Sequence, residues 1–244
     1  MKWKLAAALA TLSLGACGSE PAPAPTQSAS PAMPDLPVVG EEVSILALGD
    51  SLFAGYGVEP GQSYPARLEA ALRARGINAK ITNAGVSGDT TAGGLQRLDF
   101  VLNGMKSPPA LVVVSLGGND MLRGLPPEQT RKNLDELLTR LDQRKVPVLL
   151  MGMLSAPNWG ADHAKAFNAI YPELARKHDA ALVPFFLQAV IDKPQLIQAD
   201  RIHPTAQGIE EMVAATVGEV AKALPAKPAS PPAPRLPARL PPRR

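Results

Sequence analysis

The run Leu111–Leu116, LVVVSL, most narrows the folds open to this chain. It is short, rich in β-branched residues and apolar on both faces of a pleated strand. A strand of that kind needs cover on both sides. Val43–Leu48, Ala79–Thr82, Val146–Met151 and Ala181–Val183 read as further short strands. Between them the apolar spacing changes to that of a helix. Tyr64–Arg75 carries Leu68, Ala71 and Leu72 on one face and stops at Gly76. Thr91–Leu102 carries Leu95, Leu98 and Leu102, and Glu128–Lys145 carries Leu134, Leu137, Leu138 and Leu141. Ala161–Lys177 reads as helix, and Thr205–Ala223, entered through Pro204, closes the series. Strands and helices that alternate in this way build a parallel sheet with helices on both faces. The expected fold is therefore α/β: a three-layer α/β/α sandwich on a flavodoxin-like sheet. Its site is expected beyond the carboxyl ends of the strands. No internal repeat interrupts the pattern.

This pattern occupies residues 39–224, a length that suits one domain and buries roughly 70% of its unfolded surface. No apolar run in it is long enough to span a bilayer. The formal net charge is +3. Much of the positive charge lies outside the domain, at Lys2 and Lys4 and at Lys227, Arg235, Arg239, Arg243 and Arg244. The domain itself is slightly acidic, which argues against nucleic acid as a partner. The single cysteine, Cys17, also lies outside it, so no disulfide or Cys-based metal site can form within the chain.

Residues 1–17 read as an export signal: Lys2 and Lys4, then the apolar stretch Leu5–Leu14, too short to span a membrane as a stable helix. The close, Leu14-Gly15-Ala16-Cys17, resembles the bacterial lipobox, in which the cysteine becomes a lipidated N-terminus. The alternative is an ordinary signal peptide with a cysteine near its cleavage site. Residues 18–38, dense in Pro, Ala and Ser, are expected to form an extended tether without a core. Residues 225–244 repeat that composition with added basic residues, read as a solvated tail or a weak contact with anionic polymer or lipid. The expected location is outside the cytoplasm. The chain would be a bacterial membrane-anchored lipoprotein facing the periplasm, or periplasmic or extracellular if Cys17 is not lipidated.

Four short segments carry chemistry, each at a predicted strand end or before the last helix. They are Gly49-Asp50-Ser51-Leu52, Asn83-Ala84-Gly85-Val86-Ser87-Gly88-Asp89, Gly117-Gly118-Asn119-Asp120 and Asp200-Arg201-Ile202-His203-Pro204. A serine beside a glycine at a strand end can present its hydroxyl to a crevice. A glycine-rich loop lets backbone N–H groups approach a ligand. Each segment alone reads as a turn or a helix cap. Their joint occurrence in this order points to acyl transfer. Gly85-Val86-Ser87-Gly88 falls short of a G-x-S-x-G elbow because position 89 is Asp, so Ser87 reads as a loop residue. His163 and His178 lie in or at the end of a helical stretch and are expected at the surface.

The four segments resemble the blocks of the SGNH (GDSL-type) hydrolases, with Ser51, Gly88, Asn119 and His203 at the naming positions. The resemblance spans about Ile45 to Gly208. The wording GDSLFAGYG, VSGDTTAGGL, GGNDMLRG and DRIHP is closest to the acyl-CoA thioesterase I, arylesterase and lysophospholipase branch. It implies a serine ester hydrolase that cleaves carboxylic esters or thioesters through an acyl-enzyme on Ser51. In this scheme His203 is base and then acid, and Asp200 holds the imidazole. It also implies an oxyanion hole made of the Ser51 and Gly88 N–H groups and the Asn119 amide. It calls for no cofactor and no metal, although Asp50, Asp89, Asp120 and Asp200 leave a metal role open.

Two other readings remain open at this level: a deacetylase of acetylated sugars, and a non-catalytic lipid- or glycan-binding lipoprotein on the same fold. Apolar residues expected along an acyl pocket, Met121, Leu122, Leu125, Pro157 and Trp159, tilt the choice toward acyl chains.

Overall fold

A computed structural model of the chain describes residues 38–226. The expectations for residues 1–17 with Cys17, for nearly all of the tether and for the basic tail lie outside the described residues.

The five strands are β1 (Val43–Gly49), β2 (Ala79–Gly85), β3 (Leu111–Ser115), β4 (Val148–Met151) and β5 (Ala181–Val183). All pair in parallel, in the order β2-β1-β3-β4-β5, as a flavodoxin-like sheet requires. β1 and β3 are central, and the residues of β3 are all buried, which is what their two apolar faces demand.

The helices are α1 (Ser51–Ala54), α2 (Tyr64–Ala74), α3 (Thr91–Gly104), α4 (Gly118–Leu122), α5 (Pro127–Gln143), α6 (Ala161–Asn168), α7 (Ile170–Lys177) and α8 (Ala206–Ala223). α2 packs on α8, while α3, α5 and α7 pack in series, giving the three layers. The Tyr64 and Thr216 hydroxyls, both buried, meet at 2.7 Å between α2 and α8.

Several boundaries differ from expectation, β2 running on from Thr82 to Gly85 among them, and two have a plain physical cause. The predicted helix over 161–177 is two helices that part at Ala169. Pro172 has no N–H to give to the carbonyl four residues back, and its ring crowds that carbonyl. The strand predicted from Val146 begins at Val148. Lys145 takes a left-handed φ of 55°, and the Val146 N–H returns to Leu141 O at 3.1 Å, so these residues close α5 instead.

The sheet register decides where the site falls. Gly49, the last residue of β1, pairs with Gly85 of β2 on one side and Ser115 of β3 on the other. Three loops therefore leave the sheet at one level, at the point where the strand order reverses.

Candidate active site

α1 is four residues long and owes its existence to its ends. The Asp50 carboxylate accepts the Leu52 N–H at 3.0 Å as N-cap, and Gly55, at φ 85°, ends the turn. Leu52 and Phe53 are buried, and Phe53 stacks on Tyr64 with ring centres 5.3 Å apart. The helix is thus pinned from below, with Ser51 as its first residue. Gly85 completes the seat: a Cβ there would lie 2.2 Å from the Ala54 nitrogen, so β2 can approach α1 only without a side chain.

His203 Nε2 lies 2.8 Å from Ser51 Oγ, and His203 Nδ1 lies 2.6 Å from Asp200 Oδ2. The other Asp200 oxygen accepts the backbone N–H groups of Ile202 and His203, at 2.9 and 3.0 Å. The imidazole and these two N–H groups hold the Asp200 carboxyl down at a pKa of about 2. The tight turn that makes this contact possible carries Arg201 at φ 61°. Tyr56 lies over the imidazole with ring centres 4.4 Å apart. Gln198, which the sequence did not single out, fastens the loop. Its backbone N–H donates to His203 O at 2.7 Å, and its side-chain amide donates to the Tyr56 and Pro204 carbonyls at 2.9 and 2.8 Å.

The expected oxyanion donors meet the same cavity, which Ser51, Gly88 and Asn119 line together. Gly88 adopts φ 83°, a conformation that suits glycine. One Asn119 N–H donates to the Asp89 carbonyl at 2.9 Å. The second partner, Asp50 Oδ2, is 3.4 Å away, too long for a strong bond. An amide has two N–H groups; the short bond to Asp89 orients the side chain, and the long one to Asp50 holds the other donor only weakly beside the cavity. Asp120, fully buried, accepts the Thr91 N–H at 2.8 Å and the Thr91 hydroxyl at 2.5 Å, tying α4 to the start of α3.

Asp50 is only 3% exposed. Burial pushes its carboxyl up to about 6, against the Leu52 N–H and the nearby His203 charge, which lower it. Its bond to the Leu52 N–H fits the structural turn carboxylate that Gly-Asp-Ser suggests. The decoys fall away. Ser87 lines the cavity rim but has no histidine within hydrogen-bond reach. His178 is not at the surface as expected: its side chain is 5% exposed and lies between Asp142 and Asp135, at 2.5 and 2.7 Å. His163 is half-buried against Trp159 and Phe167, with Nδ1 2.9 Å from Ser155 Oγ. Among the described residues no group of three or more His, Cys, Asp or Glu is placed to hold a metal ion.

The cavity over Ser51 measures about 270 Å³. It shares Gly118, Leu122, Met153, Leu187 and Ile202 with a larger groove of about 750 Å³. Met121, Leu122 and Pro157 line that groove as expected, whereas Leu125 and Trp159 do not. The Trp159 ring instead covers the backbone at Gly124, where a Cβ would lie 2.7 Å from it. A hydroxyl, an imidazole and a carboxylate in line, with Gly88 and the Asn119 amide on the same cavity beside an apolar groove, make a site suited to acyl transfer to serine.

Known proteins point the same way. The GDSL-like Lipase/Acylhydrolase family profile matches residues 47–210. Esterase TesA of Pseudomonas aeruginosa is 42% identical over 161 residues, 66% of this chain and 79% of that protein. Thioesterase 1/protease 1/lysophospholipase L1 of Escherichia coli is 41% identical over 161 residues, 66% of this chain and 75% of that protein. The crystal structure of AlinE4, an SGNH-hydrolase family esterase, superposes with a TM-score of 0.66 at 62% identity, covering 77% of this chain and all of that one.

Proposed function

Because the chain belongs to the GDSL-like lipase/acylhydrolase family and is an SGNH-type esterase, we propose that Ser51 is its nucleophile, His203 its proton carrier and Asp200 the carboxylate that orients His203. The observation that carries the assignment is the unbroken line from Ser51 Oγ to His203 to Asp200, with spacings of 2.8 and 2.6 Å. AlinE4 has also been solved with alanine at a serine and at an aspartate as far apart in its chain as Ser51 and Asp200 are here, which supports the same pair.

In this scheme Ser51 Oγ adds to the acyl carbon while its proton passes to His203 Nε2. Asp200, ionised at any working pH, stabilises the imidazolium through Nδ1. The former carbonyl oxygen becomes an anion and meets the N–H groups of Ser51 and Gly88 and the weakly held N–H of Asn119, which exchanges its long bond to Asp50 for the oxyanion. Collapse breaks the bond to the leaving oxygen or sulfur, which takes the proton from His203. Water then attacks the acyl-Ser51 ester, gives its proton to His203 and releases the carboxylic acid as that proton returns to Ser51 Oγ. The apolar groove next to Ser51 favours substrates with an acyl chain, as esters or thioesters. Nothing in the site favours a sugar deacetylase or a non-catalytic binder.

We also propose that Cys17 carries lipid and that the enzyme works outside the cytoplasm as a membrane-anchored lipoprotein. The support is the signal-like leader, the single cysteine at its close and the Pro-rich stretch that follows.

A fluorophosphonate probe tests the nucleophile. It is expected to label the wild type and not Ser51→Ala, and Ser51→Ala is expected to hydrolyse neither p-nitrophenyl esters nor acyl-CoA. Labelling that survives Ser51→Ala and disappears in Ser87→Ala would move the chemistry to the other serine.

A further inference from the structure

Arg97, on α3, points back toward the ends of β1 and β2. Its Nε donates to the Asp89 carboxylate at 2.6 Å and its Nη2 to the Gly49 carbonyl at 2.9 Å. Both charged side chains are mostly withdrawn from water, at 19% and 16% exposure. Gly49 precedes Asp50 and Ser51, and its carbonyl also accepts the Val86 N–H at 3.0 Å. Asp89 follows Gly88, and its own carbonyl takes the orienting bond from Asn119 at 2.9 Å. One guanidinium therefore reaches the peptide leading to Ser51, the residue after Gly88 and, through Asp89, whose carboxylate it holds and whose backbone carbonyl Asn119 uses, the Asn119 amide. Salt bridges in such partly buried positions are less screened than surface pairs.

We propose that Arg97 is a positioning residue of the esterase reaction: it locks the loop after β2 to the end of β1 and, through Asp89, aims the Asn119 amide at the forming oxyanion. The inference rests on the oxyanion assignment given above. The residue type fits the task. The rigid fork of a guanidinium offers separate N–H groups to two acceptors on two loops, whereas a lysine ammonium is a flexible point charge. The fit at Asp89 is close, because a Cβ on Gly93 would come within 2.3 Å of its carboxylate. Oxyanion donors act by being fixed before charge develops, so a loop free to drift weakens the transition state more than the ground state.

The test compares the full chain with Arg97→Gln, Arg97→Lys, Asn119→Ala and the double variant Arg97→Gln/Asn119→Ala. For each, kcat, KM, Tm and the affinity of a boronic acid that forms a tetrahedral adduct on serine are measured. Arg97→Gln is expected to lower kcat about 10- to 100-fold, below the roughly 10²–10³ of losing a donor outright, with KM within about threefold. The boronic acid should weaken in step with kcat, and Arg97→Lys should fall in between. In the Asn119→Ala background the same Arg97 change should cost less than about threefold, because its target is already gone. A folded Arg97→Gln enzyme with near-normal kcat, or an Arg97 loss that multiplies in full onto Asn119→Ala, overturns the proposal. Should Arg97→Gln not fold, Arg97→Lys and its double variant with Asn119→Ala carry the same comparison. If Asn119→Ala alone leaves kcat intact, it is the oxyanion assignment that fails.

Discussion

At the scale of the residue, two carboxylates near Ser51 are driven in opposite directions. Asp200 sits in hydrogen bonds at a pKa of about 2, so the stability it contributes is present above its ordinary 3.8 and is lost only as pH falls through about 2. Asp50 is raised by burial from 3.8 to about 6. Between those values the folded protein holds a proton that the unfolded chain has released. Stability from this group is therefore full below about pH 3.8 and declines as pH rises through about 6, by about 2–3 kcal/mol. Asp50→Asn keeps an acceptor for the Leu52 N–H and cannot ionise. Its melting temperature relative to wild type should therefore rise from pH 4.5 to pH 8. Parallel curves for the two proteins would show that Asp50 does not titrate in the fold. Ser51, Gly88, Asn119, Asp200 and His203 were all legible in the sequence, because each stands in a short motif. Arg97 and Gln198 were not. Each acts on carbonyls that come near it only after folding, and no local pattern marks an arginine or glutamine for that task.

At the scale of the element, the site depends on how closely β2 approaches α1. The Ala54 nitrogen would be 2.2 Å from a Cβ at Gly85, so Gly85→Ala must push the end of β2 or α1 aside. Overpacking of this kind typically costs about 1–3 kcal/mol. The melting temperature should drop by several degrees, and kcat should fall with it, because Ser51 and Gly88 sit on the two parts forced apart. Differential scanning calorimetry and esterase kinetics on one preparation check this, and an unchanged kcat would mean that α1 tolerates the shift. Gly117 makes a similar demand at the end of β3. It has φ 109°, and the Tyr171 hydroxyl, which donates to Leu116 O at 2.8 Å, would be 2.2 Å from its Cβ. Strands and long helices were readable from apolar period alone. The four-residue α1 was not, since it holds too few residues to show a period and is made by its cap, its glycine and buried Phe53.

At the scale of the whole molecule, the catalytic loops gather at the carboxyl ends of the strands. β1 begins at the opposite end of the sheet, and α8, which starts beside His203, runs back toward it. Cys17→Ser should move the enzyme from the membrane to the soluble fraction with kcat on a soluble ester unchanged. One acyl chain holds a protein only marginally, so firm sedimentation of wild type also implies more than one chain. Equal partitioning of the two forms on membrane fractionation would remove the anchor.

The sequence by itself determined the layer architecture and which side chains to look for at the candidate site. Apolar period sets which faces must be covered, and short motifs bring the reactive side chains with their own turns. Only the tertiary structure decided which atoms stand within bonding distance. The common level of Gly49, Gly85 and Ser115 is a matter of register between strands far apart in the chain. So too are the division of the Asn119 amide between Asp89 and Asp50, the burial that lifts Asp50 and the reach of Arg97 to two loops. These depend on distances and on the exclusion of water, which exist only once the sheet has formed.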